Sequence, residues 1–531
     1  MVEQAGIRIE MNGGSLAANR YRLWDTIIIT GIPAFVILLA YQTKSFWGDE
    51  ILSISYAVQP GFGTFKILAG DYHPPLYFFL LKFWIAIFGT GETGLRAFQG
   101  VQGAFFLWVS LKLFRKFIPE RRYHPLWLFL VVSSEFWLFM PMLRYYTLAA
   151  SLVMGSTYLL WKWKEDPTNE NGYFLVLSYI ALLYTDYPSS VVIALHFLYI
   201  LFTQRKLFLK LLISIAISVA AFMPWVMVTV DQIRKVRDLG QVADLNTSPF
   251  AVLLKCGYSF YAFLIGETIY PFESVAVVCL IIITVIGIIA FFKFKLYRDK
   301  LFLYSFGLAL VGIIFTSVIT TYISTHTSFI YTPSRTFFGL GFLFLALGIL
   351  YSRIQNAAMR YFLLGSLIIV VGYGDYNWAM NRHFLMPVYA TPWKEVLGDL
   401  RDRDGLIFAD EGLCYSYYQN HLQGTYPELQ QFSSVNELSE KVLENLTEHP
   451  EGVAVYVLLQ GRESTESQIS PSVITYLQEN GTLEYARKYL PIDDTYQRIK
   501  SKILHRESYD AKITLYKYIL KDFRKNRYPL G

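Results

Sequence analysis

The chain has 531 residues, 54% of them hydrophobic and only 17% charged, with a positive mean hydropathy. Soluble domains carry roughly 25% charged residues, so this balance excludes an ordinary soluble enzyme and indicates a polytopic membrane protein. The net charge of +6 is modest. Lysines and arginines gather between the apolar runs, a mark of membrane topology rather than of nucleic-acid binding.

In chain order, eleven apolar segments read as transmembrane helices: 24–42, 94–112, 125–143, 145–161, 173–187, 188–203, 209–230, 272–292, 301–322, 336–351 and 361–377. No small-residue cleavage site follows the first, so it is expected to be retained. Two further apolar stretches are left out. Residues 75–88, bracketed by Pro74-Pro75 and Gly89, would make a helix of roughly 21 Å, short of the bilayer core of about 30 Å. Residues 250–268 carry Lys255, Gly257, Gly266 and Glu267. Both are expected to lie at the interface or dip into it.

Charge bias supports that choice. With the N-terminal Arg8, Arg20 and Arg22 in the cytoplasm, the inner loops hold Arg115, Lys116, Arg121 and Arg122, and later Lys293, Lys295, Arg298 and Lys300. Counting either omitted stretch alone as a span would move one of these clusters outside. The expectation is therefore an integral, multi-pass protein of the cell membrane. Its first loop, 43–93, and its C-terminus face the extracytoplasmic side. Three scattered cysteines, Cys256, Cys279 and Cys414, have no metal-ligand spacing and suggest no disulfide framework.

Beyond about residue 380 the charged residues spread out and no long apolar run remains. β-like runs occur at Gly405–Ala409, Val453–Leu459 and Ile513–Leu520, and helix-like runs at Trp393–Arg403, Val435–Leu446 and Pro471–Gln478. The predicted organisation is a helical membrane domain, 1–379, followed by an extracytoplasmic α/β domain, 380–531. The second domain is expected to support acceptor binding or packing over the active-site mouth and to do no chemistry. Its Tyr415, Tyr417 and Tyr418 near Asp410 could stack on sugar rings or form core.

Under this topology the polar residues that need explaining fall on one side. They are Asp49, Glu50, Asp71 and His73 in the first loop, Arg96 at the start of span two, and Arg144 with Tyr145 and Tyr146 after span three. Asp186 follows between spans five and six, then His326 and Arg335 before span ten. Carboxylates close to hydrocarbon are costly and usually mark function. The plainer readings are interface snorkelling for Arg96, Arg144 and Arg335, helix capping for Asp186 and His73, and an ordinary loop position for His326. Asp49-Glu50, beside Phe46-Trp47, has the least structural use. A carboxylate can accept a proton from a hydroxyl nucleophile, and arginines grip phosphate and stabilise it as a leaving group. Together they suit displacement of a lipid-linked phosphate from a sugar.

Trp47-Gly48-Asp49-Glu50, Asp71-Tyr72-His73-Pro74-Pro75-Leu76-Tyr77-Phe78 and Phe88-Gly89-Thr90-Gly91-Glu92 leading to Leu95-Arg96 form a linked series. It continues through Arg144-Tyr145-Tyr146, Leu183-Tyr184-Thr185-Asp186-Tyr187, Phe263-Leu264-Ile265-Gly266-Glu267 and Pro333-Ser334-Arg335. This order resembles bacterial and archaeal relatives of the protein O-mannosyltransferases, which are GT-C fold glycosyltransferases of the family 39 type. Asp186 stands where such relatives often carry histidine. The resemblance implies Asp49 as catalytic base, with Glu50 positioning the acceptor. It implies a polyprenyl-phosphate sugar as donor, with Arg96, Arg144 or Arg335 near the phosphate and Asp71, His73, Tyr145 and Asp186 at the substrate. The acceptor would be a protein, lipid or cell-envelope glycan. No cofactor is required, although the external carboxylates could hold a divalent cation. The alternative is a transporter or flippase of lipid-linked sugars, which would call for inverted repeats and mid-membrane polar sites. No repeat is found, and the charges gather at one face.

Overall fold

The computed structural model describes residues 2–118, 124–240, 249–322, 332–410, 412–430, 435–448, 451–460, 469, 471–490, 498–499, 502 and 512–521. His326, Arg121 and Arg122 lie outside the described residues. The chain divides into two compact units. One comprises Met1–Ala40 and Tyr56–Tyr376, the other Tyr41–Ser55 and Asn377–Gly531.

Among the described residues, six helices are long and apolar enough to cross a membrane: Leu23–Thr43, Arg205–Lys235, Ser274–Lys293, Lys300–Tyr322, Pro333–Arg353 and Ala357–Ala379. Their outward side chains, such as Ile281, Ile288, Ile368 and Ile369, are more than half exposed. Large apolar residues bare along whole helices are stable only against lipid, and the chain is an integral membrane protein.

The other five expected spans also fall on helical segments. Glu92–Phe117 and Tyr146–Glu165 pack against each other and bury Arg96, Gln99 and Gln102 on the first and Thr147, Ser151 and Thr157 on the second. Polar groups inside a bundle can meet partners on neighbouring helices, so these two segments are less apolar than lipid-facing ones. The predicted span 125–143 is interrupted. It is two short helices, His124–Val131 and Ser134–Phe139. Ser133 caps the second by accepting the Phe136 N–H at 3.3 Å. The predicted span 173–187 ends at Leu183, and a 3-10 turn, Pro188–Ser190, starts the next helix, Val191–Thr203. Pro188 has no N–H to give the Tyr184 carbonyl, which accepts from the Leu76 N–H instead, so the helix does not continue through it. The two omitted stretches form helices of 13 and 16 residues, Leu76–Phe88 and Pro249–Leu264, both short of the about 20 residues that a span needs.

The first-loop helices Gly63–Gly70 and Leu76–Phe88 are tied to the bundle by specific bonds. The Leu76 N–H donates to the Tyr184 carbonyl at 2.9 Å. Gln232 Nε2 donates to the Leu68 carbonyl at 2.7 Å, and Gln232 Oε1 accepts from the Tyr187 hydroxyl at 2.6 Å. Lys82 Nζ reaches the Gln59 carbonyl and, at 3.2 Å, Thr64 Oγ1. These bonds fix the approach of Asp71 and His73 from the connecting turn.

Among the described residues, the second unit holds a five-stranded sheet of β1 (Leu406–Ala409), β2 (Glu428–Leu429), β3 (Val453–Gln460), β4 (Gly481–Tyr489) and β5 (Ile513–Leu520), in the order β2-β1-β3-β5-β4. β1 is parallel to both β2 and β3, whereas β5 is antiparallel to β3 and β4. Alternate residues Val453, Val455 and Val457 pack with Leu438, Val442, Val473 and Leu477 from helices Val435–Glu448 and Pro471–Asn480. Intervening Tyr456 and Leu458 are buried too, so β3 reads as a continuous apolar run, as central strands do. Sequence reading missed β2, β4 and the helix Gly412–His421. β4 is an edge strand, mostly exposed and rich in charge, and so lacks the apolar alternation that reveals a strand. Tyr415, Tyr417 and Tyr418 are buried and belong to the core of this unit rather than to a sugar-stacking surface.

Candidate active site

In the first unit the turn after helix Gly63–Gly70 carries Asp71 and His73, and the turn after helix Ser134–Phe139 carries Arg144 and Tyr145. His73 Nδ1 lies 2.7 Å from Asp71 Oδ2, and its Nε2 lies 3.0 Å from Arg144 Nη2. A guanidinium nitrogen only donates, so Nε2 is the acceptor. The remaining proton is on Nδ1 and is donated to Asp71. The imidazole is therefore neutral. Burial also lowers the His73 pKa, and the neighbouring Arg144 charge acts the same way against the raising effect of Asp71. Burial alone would raise the Asp71 carboxyl. Bonds from His73 and the Tyr72 backbone, together with the Arg144 charge, outweigh it and hold Asp71 below the usual carboxylate value.

Arg144 is buried and held from several sides. Its backbone carbonyl accepts from Gln99 Nε2 at 3.3 Å, and the same amide donates to the Tyr77 hydroxyl at 2.8 Å. Its guanidinium carbon is 5.8 Å from the Tyr145 ring centre, and that of Arg335 is 5.7 Å from the same ring. Arg335, on the short helix Thr332–Thr336, also donates to the Tyr145 hydroxyl. The His73 ring meets Tyr145 edge-on at 5.4 Å. Asp71, His73, Arg144, Tyr145 and Arg335 thus form one group.

Arg96 and Asp186 have structural partners of their own. Arg96 Nε donates to Glu92 Oε1 at 2.7 Å, an i,i+4 pair with both side chains nearly inaccessible. Asp186 Oδ2 accepts the Ser189 N–H at 2.9 Å, so it caps the 3-10 turn, the plainer of its two readings. It also lies within electrostatic reach of Arg335.

Asp49 and Glu50 belong to the second unit, in the first turn of helix Gly48–Ala57. Glu50 is buried, and its Oε2 accepts the Trp47 N–H at 3.1 Å. That is half of a capping box, an N3 glutamate bonded back to the N-cap amide. Asp49 is partly exposed. Sequence reasoning quoted Tyr77 and Glu92 within motifs without giving them a role and passed over Gln99; all three brace the arginines. Glu92 carried a usable signal in its spacing four residues before Arg96.

An apolar cavity of about 430 Å³ lies in the first unit, lined by residues including Phe65, Leu76, Phe79, Leu177, Ala181 and Trp225. A buried acidic pair, Glu135 and Glu267, is joined by the Glu267 N–H donating to Glu135 Oε1 at 2.7 Å. Gly266, at φ +110°, makes the turn there, and a Cβ on it would come within 2.9 Å of Ser134 Cβ. Among the described residues no three His, Cys, Asp or Glu side chains converge as metal ligands.

Two solved structures are similar to this chain. ArnT from Cupriavidus metallidurans bound to undecaprenyl phosphate aligns with a TM-score of 0.48 at 11% identity, covering 92% of this chain and 97% of that one. ArnT from the same organism in the apo state aligns with a TM-score of 0.40 at 11% identity, covering 94% and 98%. No protein-family model and no curated protein sequence matches the chain.

Proposed function

We propose that the chain is a membrane glycosyltransferase of the GT-C type, moving a sugar from a polyprenyl-phosphate donor to a hydroxyl on an extracytoplasmic protein, lipid or envelope glycan. The observation that carries this reading is the Asp71–His73–Arg144 chain, with His73 and Arg144 buried, which fixes one guanidinium beside Tyr145, where Arg335 arrives as well. Two planar, permanently charged forks suit a phosphate better than a neutral ligand.

In the transfer, the acceptor oxygen bonds to the anomeric carbon while the bond from that carbon to the phosphate oxygen breaks. The electron pair leaves with the phosphate, and Arg144 and Arg335 stabilise its growing charge. The carboxylate of Asp49 takes the hydroxyl proton. Glu50, through its cap on Trp47, orients the turn that carries Asp49. The neutral His73 holds Arg144 without adding a second charge. The cavity at Phe79 and Trp225 suits the hydrocarbon of a lipid donor, being apolar and of ligand size. The order of the sequence motifs supports the same class.

The test uses the purified full chain in nanodiscs with radiolabelled polyprenyl-phosphate hexoses. Release of polyprenyl phosphate is expected. Movement of intact donor across proteoliposomes without cleavage would make the chain a transporter instead.

A further inference from the structure

The residues that lead into the acidic pair are built into the second unit. Phe46 is fully buried. Its N–H donates to the Tyr418 hydroxyl at 2.5 Å, and its ring meets Tyr417 at 5.8 Å. Ser45 Oγ accepts the Lys394 N–H at 3.0 Å. Asn381 Nδ2 donates to the Thr43 carbonyl at 2.9 Å, while Lys44 Nζ donates to the Trp378 carbonyl and to Asn381 Oδ1. The Trp47 ring packs edge-on against Tyr389 at 5.4 Å. Every residue from Thr43 to Trp47 is thus fastened to the polypeptide beyond residue 377, more than 330 positions away in sequence.

We propose that the C-terminal polypeptide is a positioning device for the acidic pair, with Tyr418 as its central positioning residue. The proposal rests on the reading of Asp49 as the base. An extended segment has no intrinsic bonds to hold it, and its backbone donors must be satisfied from elsewhere. Here the Phe46 donor, two residues before the helix that starts at Gly48, is satisfied by a tyrosine on helix Gly412–His421. A general base must stay within hydrogen-bond reach of its proton, and small misplacements lower rate without weakening binding elsewhere. Tyr417 and Tyr418 are therefore core residues with a consequence for turnover.

The experiment compares the wild-type full chain with Tyr418→Phe, Tyr418→Ala and Asn381→Ala, and with Tyr426→Phe as a control away from the segment. Tyr418→Phe keeps the ring and its packing, so it keeps the fold if Tyr418→Ala does not. Hydrogen exchange of the 44–50 peptide is measured first, because it needs no substrate. Exchange at Phe46 is expected to quicken by about tenfold in Tyr418→Phe, in line with the loss of one hydrogen bond, and to stay at wild-type rates in Tyr426→Phe. Turnover of a radiolabelled polyprenyl-phosphate hexose is measured next. The expected result is a fall in kcat of roughly fivefold to tenfold for Tyr418→Phe and on the order of 10² for Tyr418→Ala, with the donor KM unchanged. Unchanged exchange, an unchanged kcat, or a change confined to KM would each overturn the proposal. Asp49→Asn is run beside these. If it kept full activity, the reading of the base would fail, while the exchange result would still decide whether the tether exists.

Discussion

Arg144 donates to His73 Nε2 across 3.0 Å, and this one bond sets the charge state of the imidazole. Because the arginine cannot accept, the histidine must, and its only proton goes to Asp71. The result is a carboxylate, a neutral ring and a guanidinium in series, with the positive end beside Tyr145. Arg144→Lys keeps the charge but loses the planar fork and its reach to His73. Turnover of a labelled polyprenyl-phosphate hexose is expected to fall by about tenfold to hundredfold, the equivalent of one charged hydrogen bond. Wild-type turnover in that variant would leave Arg144 as a strut and nothing more.

The same chain gives a pH dependence. The folded-state pKa of His73 is below its ordinary 6.5, so the unfolded chain binds the proton more readily. Stability from this site is present above about pH 6.5 and is lost as pH falls below it. Asp71, also held below its ordinary 3.8, loses its contribution in a separate window, as pH falls below about 4. Thermal unfolding in detergent is expected to show Tm falling from pH 7.5 to pH 5.5 in the wild type and falling less in His73→Gln. Parallel curves for the two proteins would mean that His73 titrates as it does in water.

The apolar cavity gives a prediction about chain length. Ala181 lines it, and Ala181→Trp would fill part of its volume. The variant is expected to raise KM for a long polyprenyl-phosphate hexose by about tenfold, corresponding to roughly two buried methylenes lost from contact. A short-chain analogue would be affected less. Equal effects on long and short donors would place the hydrocarbon elsewhere.

Much of this was legible in the sequence, and the parts that were not have physical reasons. The lipid-facing helices announced themselves because lipid demands unbroken apolar surface, as in Ser274–Lys293. The interruption at Ser133 was hidden because the flanking segments are apolar on both sides and the cap is a single hydroxyl. The motifs named Asp71, His73, Arg144, Tyr145 and Arg335 among other candidates, but which of them meet, and the neutral state of His73, needed the folded positions of their side chains. Glu50 looked equivalent to Asp49 in the sequence. Its burial and its bond to the Trp47 amide set Glu50 apart from the partly exposed Asp49. The fastening of 43–47 to residues beyond 377 left no local trace, because Tyr418 and Asn381 are ordinary residues until the chain folds.

The distinction between the two acids has its own consequence. Glutamine can cap a helix as glutamate does, so Glu50→Gln is expected to retain most activity and to unfold within a few degrees of wild type. Glu50→Ala is expected to lose the cap, about 1 kcal/mol by analogy with other caps. Activity measurements and Tm on the pair check this. Loss of activity in Glu50→Gln at unchanged Tm would give Glu50 a chemical role.

The central claim is that Asp49 takes the proton in a sugar transfer from a polyprenyl-phosphate donor. The direct measurement is single-turnover release of polyprenyl phosphate from a radiolabelled donor by purified Asp49→Asn and wild-type protein, with folding verified by Tm. The account predicts a fall of about 10²–10⁴-fold in the variant, with donor binding retained. Release at the wild-type rate by Asp49→Asn would contradict it.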